Sequence, residues 1–199
     1  MPVGLCSGRF VKRALLGFLL LTTVVHAQTA KTPPPEKAAQ RANELTLAGL
    51  RPGRDSLARA AELNKRFGNR KELPGGQTVW FDACRDSSLT IDSDKEKIIQ
   101  VIRVGFYCCS TVDCGVPLGP WKTGRGLRLG DAAGKVVQLY GEPDSRSPST
   151  KDGQPLELMY YAFDWAGPDV PQVMEVLCTR GKDGQPGQVL EITLAAPSL

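Results

Sequence analysis

The residues best suited to chemistry in this 199-residue chain are cysteines and carboxylates, and one common reagent is missing. The single histidine is His26, which falls inside an amino-terminal leader described below. Once that leader is removed, nothing remains that could serve Ser-His-Asp or Cys-His catalysis, act as a general-base imidazole, or ligate zinc through histidine. Five cysteines follow the leader: Cys84, Cys108, Cys109, Cys114 and Cys178. In an oxidising compartment they are expected to form disulfides, and an odd number leaves at least one thiol free or paired outside the chain. A bond from Cys114 to Cys108 or Cys109 closes a short loop easily, whereas pairing the adjacent Cys108 and Cys109 would be strained. By elimination Cys84 and Cys178 could bridge the two halves of the chain, provided their Cα atoms lie within about 7 Å. With no C-x-x-C and no histidine to lower a thiol pKa, a redox site is disfavoured. A cysteine-only zinc site would need a fourth ligand from a distant strand. Neither a metal nor a cofactor is expected.

Carboxylates are the other candidates. Asp82 and Asp164 end similar strand-like stretches, and Asp164, Asp169 and Glu175 lie close in sequence. Two converging carboxylates would suit acid–base hydrolysis. Acidic residues at strand ends are also ordinary turn and solubility chemistry. The KDGQP segments at Lys151–Pro155 and Lys182–Pro186 are turns, without the further acidic ligands in register that calcium requires.

The elements that must position these groups begin after residue 27. Residues 1–27 read as a secretory leader. Arg9, Lys12 and Arg13 supply a basic start, Ala14–Val25 an apolar run of twelve, and Ala27 a small residue at the cut. The run is too short for a membrane span. No cysteine stands at the cut, so a non-lipidated periplasmic or extracellular protein is expected. Removing the leader takes 25 basic residues to 22 against 21 acidic ones, a net of about +1, with no basic stripe for nucleic acid. The 172 residues left are enough to bury a core without metal or disulfide. Residues 28–44, QTAKTPPPEKAAQRANE, have little to bury and read as a disordered tether.

Gly126–Asp144 reads as a helix with its punctuation. Asp131 is an N-cap candidate, and Ala133, Val136, Val137 and Tyr140 share a face. Gly141 suits a left-handed C-cap, and Pro143 forbids continuation. Similar lettering occurs 77 positions earlier, where Gly49-Leu50-Arg51 matches Gly126-Leu127-Arg128 and Gly53 matches Gly130. There Asp55 or Ser56 caps a helix running to Phe67. Strand patterns follow each helix: Thr78–Ala83, Ser88–Asp92 and Ile98–Val104, then Leu156–Asp164, Val173–Thr179 and Val189–Leu194. The expectation is an α+β chain of two tandem units. Residues 45–104 and 126–199 would each be a helix on a small antiparallel sheet of about three strands, joined by a Cys/Gly/Pro-rich connection at 105–125.

Leu156–Trp165 is apolar on both parities. Glu157, Met159, Tyr161, Phe163 and Trp165 share one, and Leu156, Leu158, Tyr160 and Ala162 the other. A helix covers one face of a strand, so the second is covered otherwise or meets a partner. Tyr161, Phe163, Trp165 and Asp169 are the candidate binding residues, with Trp80 their counterpart in the first unit.

The pattern Gly126, Gly130, Val136 or Val137, Gly141 and Pro143 resembles the SmpA/OmlA (BamE) class of small exported modules. These place helices on one side of a three-stranded antiparallel sheet. The tandem spacing is similar to β-lactamase inhibitor protein, which duplicates such a module and binds through its sheet. The resemblance implies a non-enzymatic, protein-binding role with no catalytic residues to carry over. The chain departs from the class in lacking its lipidated cysteine. The expected function is therefore a non-catalytic envelope protein that binds a protein partner. A carboxylate-dependent envelope hydrolase and a structural envelope protein are the alternatives.

Overall fold

The computed structural model describes residues 43–67, 70–82, 85–106, 120–151, 153–164, 171–181 and 187–196. The expected leader, nearly all of the expected tether, Cys84, Cys108, Cys109, Cys114, Trp165 and Asp169 lie outside them.

Helix α1 spans Leu57–Asn64 and runs into a 3₁₀ turn at Lys65–Phe67. Ser56 caps it, its Oγ accepting from the Arg59 N–H at 3.3 Å. Helix α2 spans Ala133–Tyr140. Its cap is not the expected Asp131. Ala132 holds the N-cap position without a side-chain bond, and the Asp131 carboxylate instead accepts from the Arg128 N–H and from Lys135 Nζ, both at 2.8 Å. Asp131 thus braces the turn before the helix and pairs with its first turn. At the far end Gly141 has φ 79°, and its N–H reaches the Val137 carbonyl.

The strands are β1 Lys71–Glu72, β2 Gln77–Asp82, β3 Ser87–Ser93, β4 Ile99–Phe106, β5 Ser145–Lys151, β6 Gln154–Asp164, β7 Pro171–Thr179 and β8 Val189–Ala195. They form one antiparallel sheet of eight in the order β1-β2-β3-β4-β8-β7-β6-β5. This overturns the expectation of two tandem units with small sheets of about three strands. The link is β4 against β8, from Val101 opposite Ala195 to Gly105 opposite Glu191. Left apart, both strands would expose a row of unpaired N–H and C=O groups; paired, they satisfy them. The pairing also joins Ile102 and Val104 to Ile192 and Leu194 in a single buried core.

That core lies on one side of the sheet. It takes Trp80, Leu89, Ile91, Met159, Tyr161, Phe163, Met174, Val176 and Cys178 from the strands, and Leu57, Ala60, Val136 and Tyr140 from the helices. The GLR turns each drive a leucine into it, Leu50 and Leu127 both being fully buried. Trp121, expected in a connecting loop, is also buried, and its indole N–H donates to Asn64 Oδ1 at 2.8 Å.

Candidate functional site

Adjacent residues of a strand point to opposite faces, so the register sorts every side chain of the sheet to the core or to the outer face. On β6, Met159, Tyr161 and Phe163 turn inward and are 2 %, 0 % and 1 % exposed. Tyr161 and Phe163 stack at 5.8 Å, and both meet the ring of Tyr140 on α2, at 5.9 and 6.0 Å. The Tyr161 hydroxyl donates to the Gly141 carbonyl at 3.0 Å. Trp80 turns inward on β2 opposite Leu89 and is 1 % exposed. Tyr161, Phe163 and Trp80 are therefore core residues and not the contact surface expected of them. Sequence parity could not decide this, because β6 is apolar on both sides.

The outer face is built from the other parity. On β6 and β7 it presents Leu158, Tyr160 and Ala162 beside Leu177, Glu175 and Val173, all half-buried. On β2 it carries Val79, which is 3 % exposed, and the half-buried Phe81, with Lys71 Nζ 5.3 Å over the Phe81 ring. Between these apolar strips runs a polar band. Glu191 on β8 is held by Arg103 Nε at 3.3 Å and by Lys151 Nζ at 2.8 Å, and Arg103 also donates to Thr193. Gly105 lies beneath Glu191, where a Cβ would meet the glutamate Cγ at 3.3 Å. Among the described residues both helices contribute to the core on the inner side, and Leu158, Tyr160 and Leu177 stand outside that core.

The carboxylates do not gather. Asp82 turns inward on β2 and forms an ion pair with Arg85, while Glu175 turns outward on β7. Three strands separate β2 from β7, roughly 19 Å at ordinary strand spacing. Asp164 stands four residues along β6 from Tyr160, the register partner of Glu175, which is roughly 13 Å of strand. Among the described residues no group of three or more His, Cys, Asp or Glu side chains is placed to hold a metal ion.

Cys178, one of the disulfide candidates, is a free thiol with no exposed surface. Burial, helped by the negative charge of its register partner Glu157, pushes the thiol up to about 12. At neutral pH it is a buried apolar group rather than a nucleophile.

A second polar cluster went unread in the sequence. Glu44, assigned there to the end of the tether, is 2 % exposed. Its carboxylate accepts from the backbone N–H groups of Leu45, Thr46, Gly124 and Arg125 and from the Tyr140 hydroxyl. Thr123 Oγ1 accepts from the Leu127 N–H and lies 2.7 Å from the Tyr140 oxygen. Burial holds the Tyr140 phenol well above its usual range, with the Thr123 hydrogen bond acting the other way and the Glu44 charge adding to the rise. No pattern of spacing could have revealed this, since the Gly124, Arg125 and Tyr140 donors lie 80, 81 and 96 residues from the acceptor.

Neither a scan against protein-family models nor a search of characterised proteins finds a match. Among solved structures the chain is similar to a cysteine-rich secretory protein from Staphylococcus aureus subsp. aureus Mu50, at 10% identity and a TM-score of 0.34. The similarity covers 71% of this chain and 44% of that protein, and at that level neither fold nor function is carried over. The resemblance to the SmpA/OmlA class and to a tandem inhibitor module is not upheld. Among the described residues eight strands share one sheet with two short helices, in place of two helix-on-sheet repeats, and no family model supports the short glycine motif.

Proposed function

We propose that this is an exported, non-catalytic protein that holds a protein partner against the outer face of its sheet. The observation that carries the reading is the half-buried strip of Leu158, Tyr160, Ala162, Val173 and Leu177, outside the core and beside the bracketed Glu191. Apolar side chains rimmed by fixed charge suit a protein contact better than bulk water. Pairing at a sheet edge is a poorer route. Edge strand β1 has two residues, and edge strand β5 carries Pro148, which cannot donate to a further strand. The basic start, twelve-residue apolar run and Ala27 support export. No helix among the described residues is long and apolar enough to cross a membrane.

The test is a triple variant, Leu158→Ser, Tyr160→Ser and Leu177→Ser, compared with the parent chain in capture from envelope extract. The expected result is native circular dichroism with loss of the proteins the parent retains. A folded triple variant that retains the same proteins would refute the outer-face contact.

A further inference from the structure

Glu44 and Asp82 are the buried acidic side chains among the described residues, and they are satisfied differently. Asp82 is paired with an arginine. Among the described residues no cation forms an ion pair with Glu44, whose charge is met by five donors. Oε1 accepts from the N–H of Leu45 at 2.9 Å, of Thr46 at 3.0 Å and of Gly124 at 3.1 Å, the last shared with the Thr46 carbonyl. Oε2 accepts from the Arg125 N–H at 3.0 Å and the Tyr140 hydroxyl at 2.7 Å. Successive backbone N–H groups converging on one point form an anion-binding concavity.

Three of the donors, from Gly124, Arg125 and Tyr140, belong to a part of the chain far from residue 44 in sequence. They are held by bonds that do not involve the Glu44 side chain. The Thr123 N–H bonds to the Leu127 carbonyl and Gly126 to Thr123, closing the turn. Because Thr123 Oγ1 already accepts from the Leu127 N–H, its proton is free to go to the Tyr140 oxygen. That directs the Tyr140 proton at the carboxylate. The turn is also shaped for an oxygen. A Cβ on Gly124 would lie 2.7 Å from Glu44 Oε1 and 2.5 Å from Thr46 Oγ1, so only glycine admits the carboxylate.

We infer that the 123–125 turn and Tyr140 form a carboxylate-binding site which Glu44 occupies in cis, and which accepts a small free carboxylate when the Glu44 side chain is removed. Withdrawal of that side chain removes the acceptor of the buried Tyr140 hydroxyl and of the Leu45, Thr46 and Arg125 N–H groups, and a carboxylate of matching shape restores it. The inference stands apart from the proposed partner contact, since this site lies at the Tyr140 end of the inner core and not on the outer face.

The test uses the full chain carrying Glu44→Gly, which vacates room for acetate. Thermal unfolding is followed in sodium acetate and in sodium chloride at equal ionic strength, with acetamide as the neutral control. A ligand that binds only the folded state raises the midpoint in proportion to its occupancy. The expected result is a saturable rise of several degrees in acetate alone, absent from the parent chain and reduced when Tyr140→Phe is added. An equal response to acetate and chloride, or none to either, overturns the inference. If Glu44→Gly does not fold in chloride, refolding by dilution into acetate decides it: recovery of native fluorescence in acetate only supports the site, and no recovery overturns it.

Discussion

Tyr160 and Tyr161 are neighbours in β6 and stand on opposite faces of the sheet. Tyr161 pairs across the sheet with Met174 and is fully buried against Tyr140 and Phe163, while Tyr160 pairs with Glu175 and is half-buried on the outer side. A one-residue slip of β6 would exchange them, so this pair reports the register of the sheet.

The two positions should answer truncation differently. Tyr161→Ala removes a fully packed ring and its hydrogen bond to Gly141, and should cost about 3–5 kcal/mol in denaturant unfolding. Tyr160→Ala should cost about 1 kcal/mol or less. Comparable losses at both positions would mean that the outer face is packed as tightly as the inner.

Asn64 and Trp121 clamp α1 onto the segment that leads into the second GLR turn. The Asn64 side chain donates to the Ala60 carbonyl and accepts from the Trp121 indole, and Phe67 lies 4.8 Å from the tryptophan ring. Asn64→Ala leaves the indole N–H buried and unpaired, and should cost about 1–3 kcal/mol. Urea unfolding checks this. An unchanged midpoint would show that water or another acceptor replaces the amide.

The Cys178 thiol is expected to be silent in the folded protein. Its folded-state pKa, near 12, stands above the ordinary 9.0 of an unfolded cysteine. The unfolded state therefore loses the proton first. The stabilisation is complete below pH 9 and is lost as pH rises from 9 towards 12, by about 1.4 kcal/mol per pH unit at most. A maleimide reagent should leave Cys178 untouched at pH 7 and label it on denaturation. In Cys178→Ala the alkaline loss of stability between pH 9 and 12 should be shallower than in the parent. Prompt labelling of Cys178 in the native protein would contradict its burial.

Gly124 is predicted to resist substitution for a reason unrelated to turn conformation. The added methyl of Gly124→Ala meets Glu44 Oε1 and Thr46 Oγ1 below ordinary contact distance, so it should cost about 1–3 kcal/mol. Gly134, on the surface of α2 with nothing within 4 Å of its would-be Cβ, is the control. Gly134→Ala should be neutral or stabilising, by up to about 1 kcal/mol. Thermal midpoints of the two variants decide the matter.

The strands with strong alternation or long apolar runs were legible from the residues. Thr78–Asp82, Leu89-Thr90-Ile91, Leu156–Asp164 and Leu190–Leu194 all fall in strands, and Gly141 ends α2 as its position before Pro143 implies. β5 carries no such signal, because Ser145–Lys151 has no residue that must be buried. An edge strand held by one neighbour needs none, and Pro148 is tolerated only there. The joining of β4 to β8 was not legible either. Each strand carries the same apolar face whether its free edge meets solvent, a partner or the other strand, so pattern alone cannot choose. Glu44 closes a segment with little to bury, and an isolated glutamate is ordinarily solvated. Its burial depends on backbone donors brought to it by the fold.

The face assignment of β6 supports both the core and the proposed contact, and mild acetylation of tyrosine in the native protein, mapped by mass spectrometry, tests it most directly. Tyr160 should be modified while Tyr140 and Tyr161 stay protected until denaturant is added. Modification of Tyr161 in the native protein with Tyr160 protected would reverse the two faces and contradict the account.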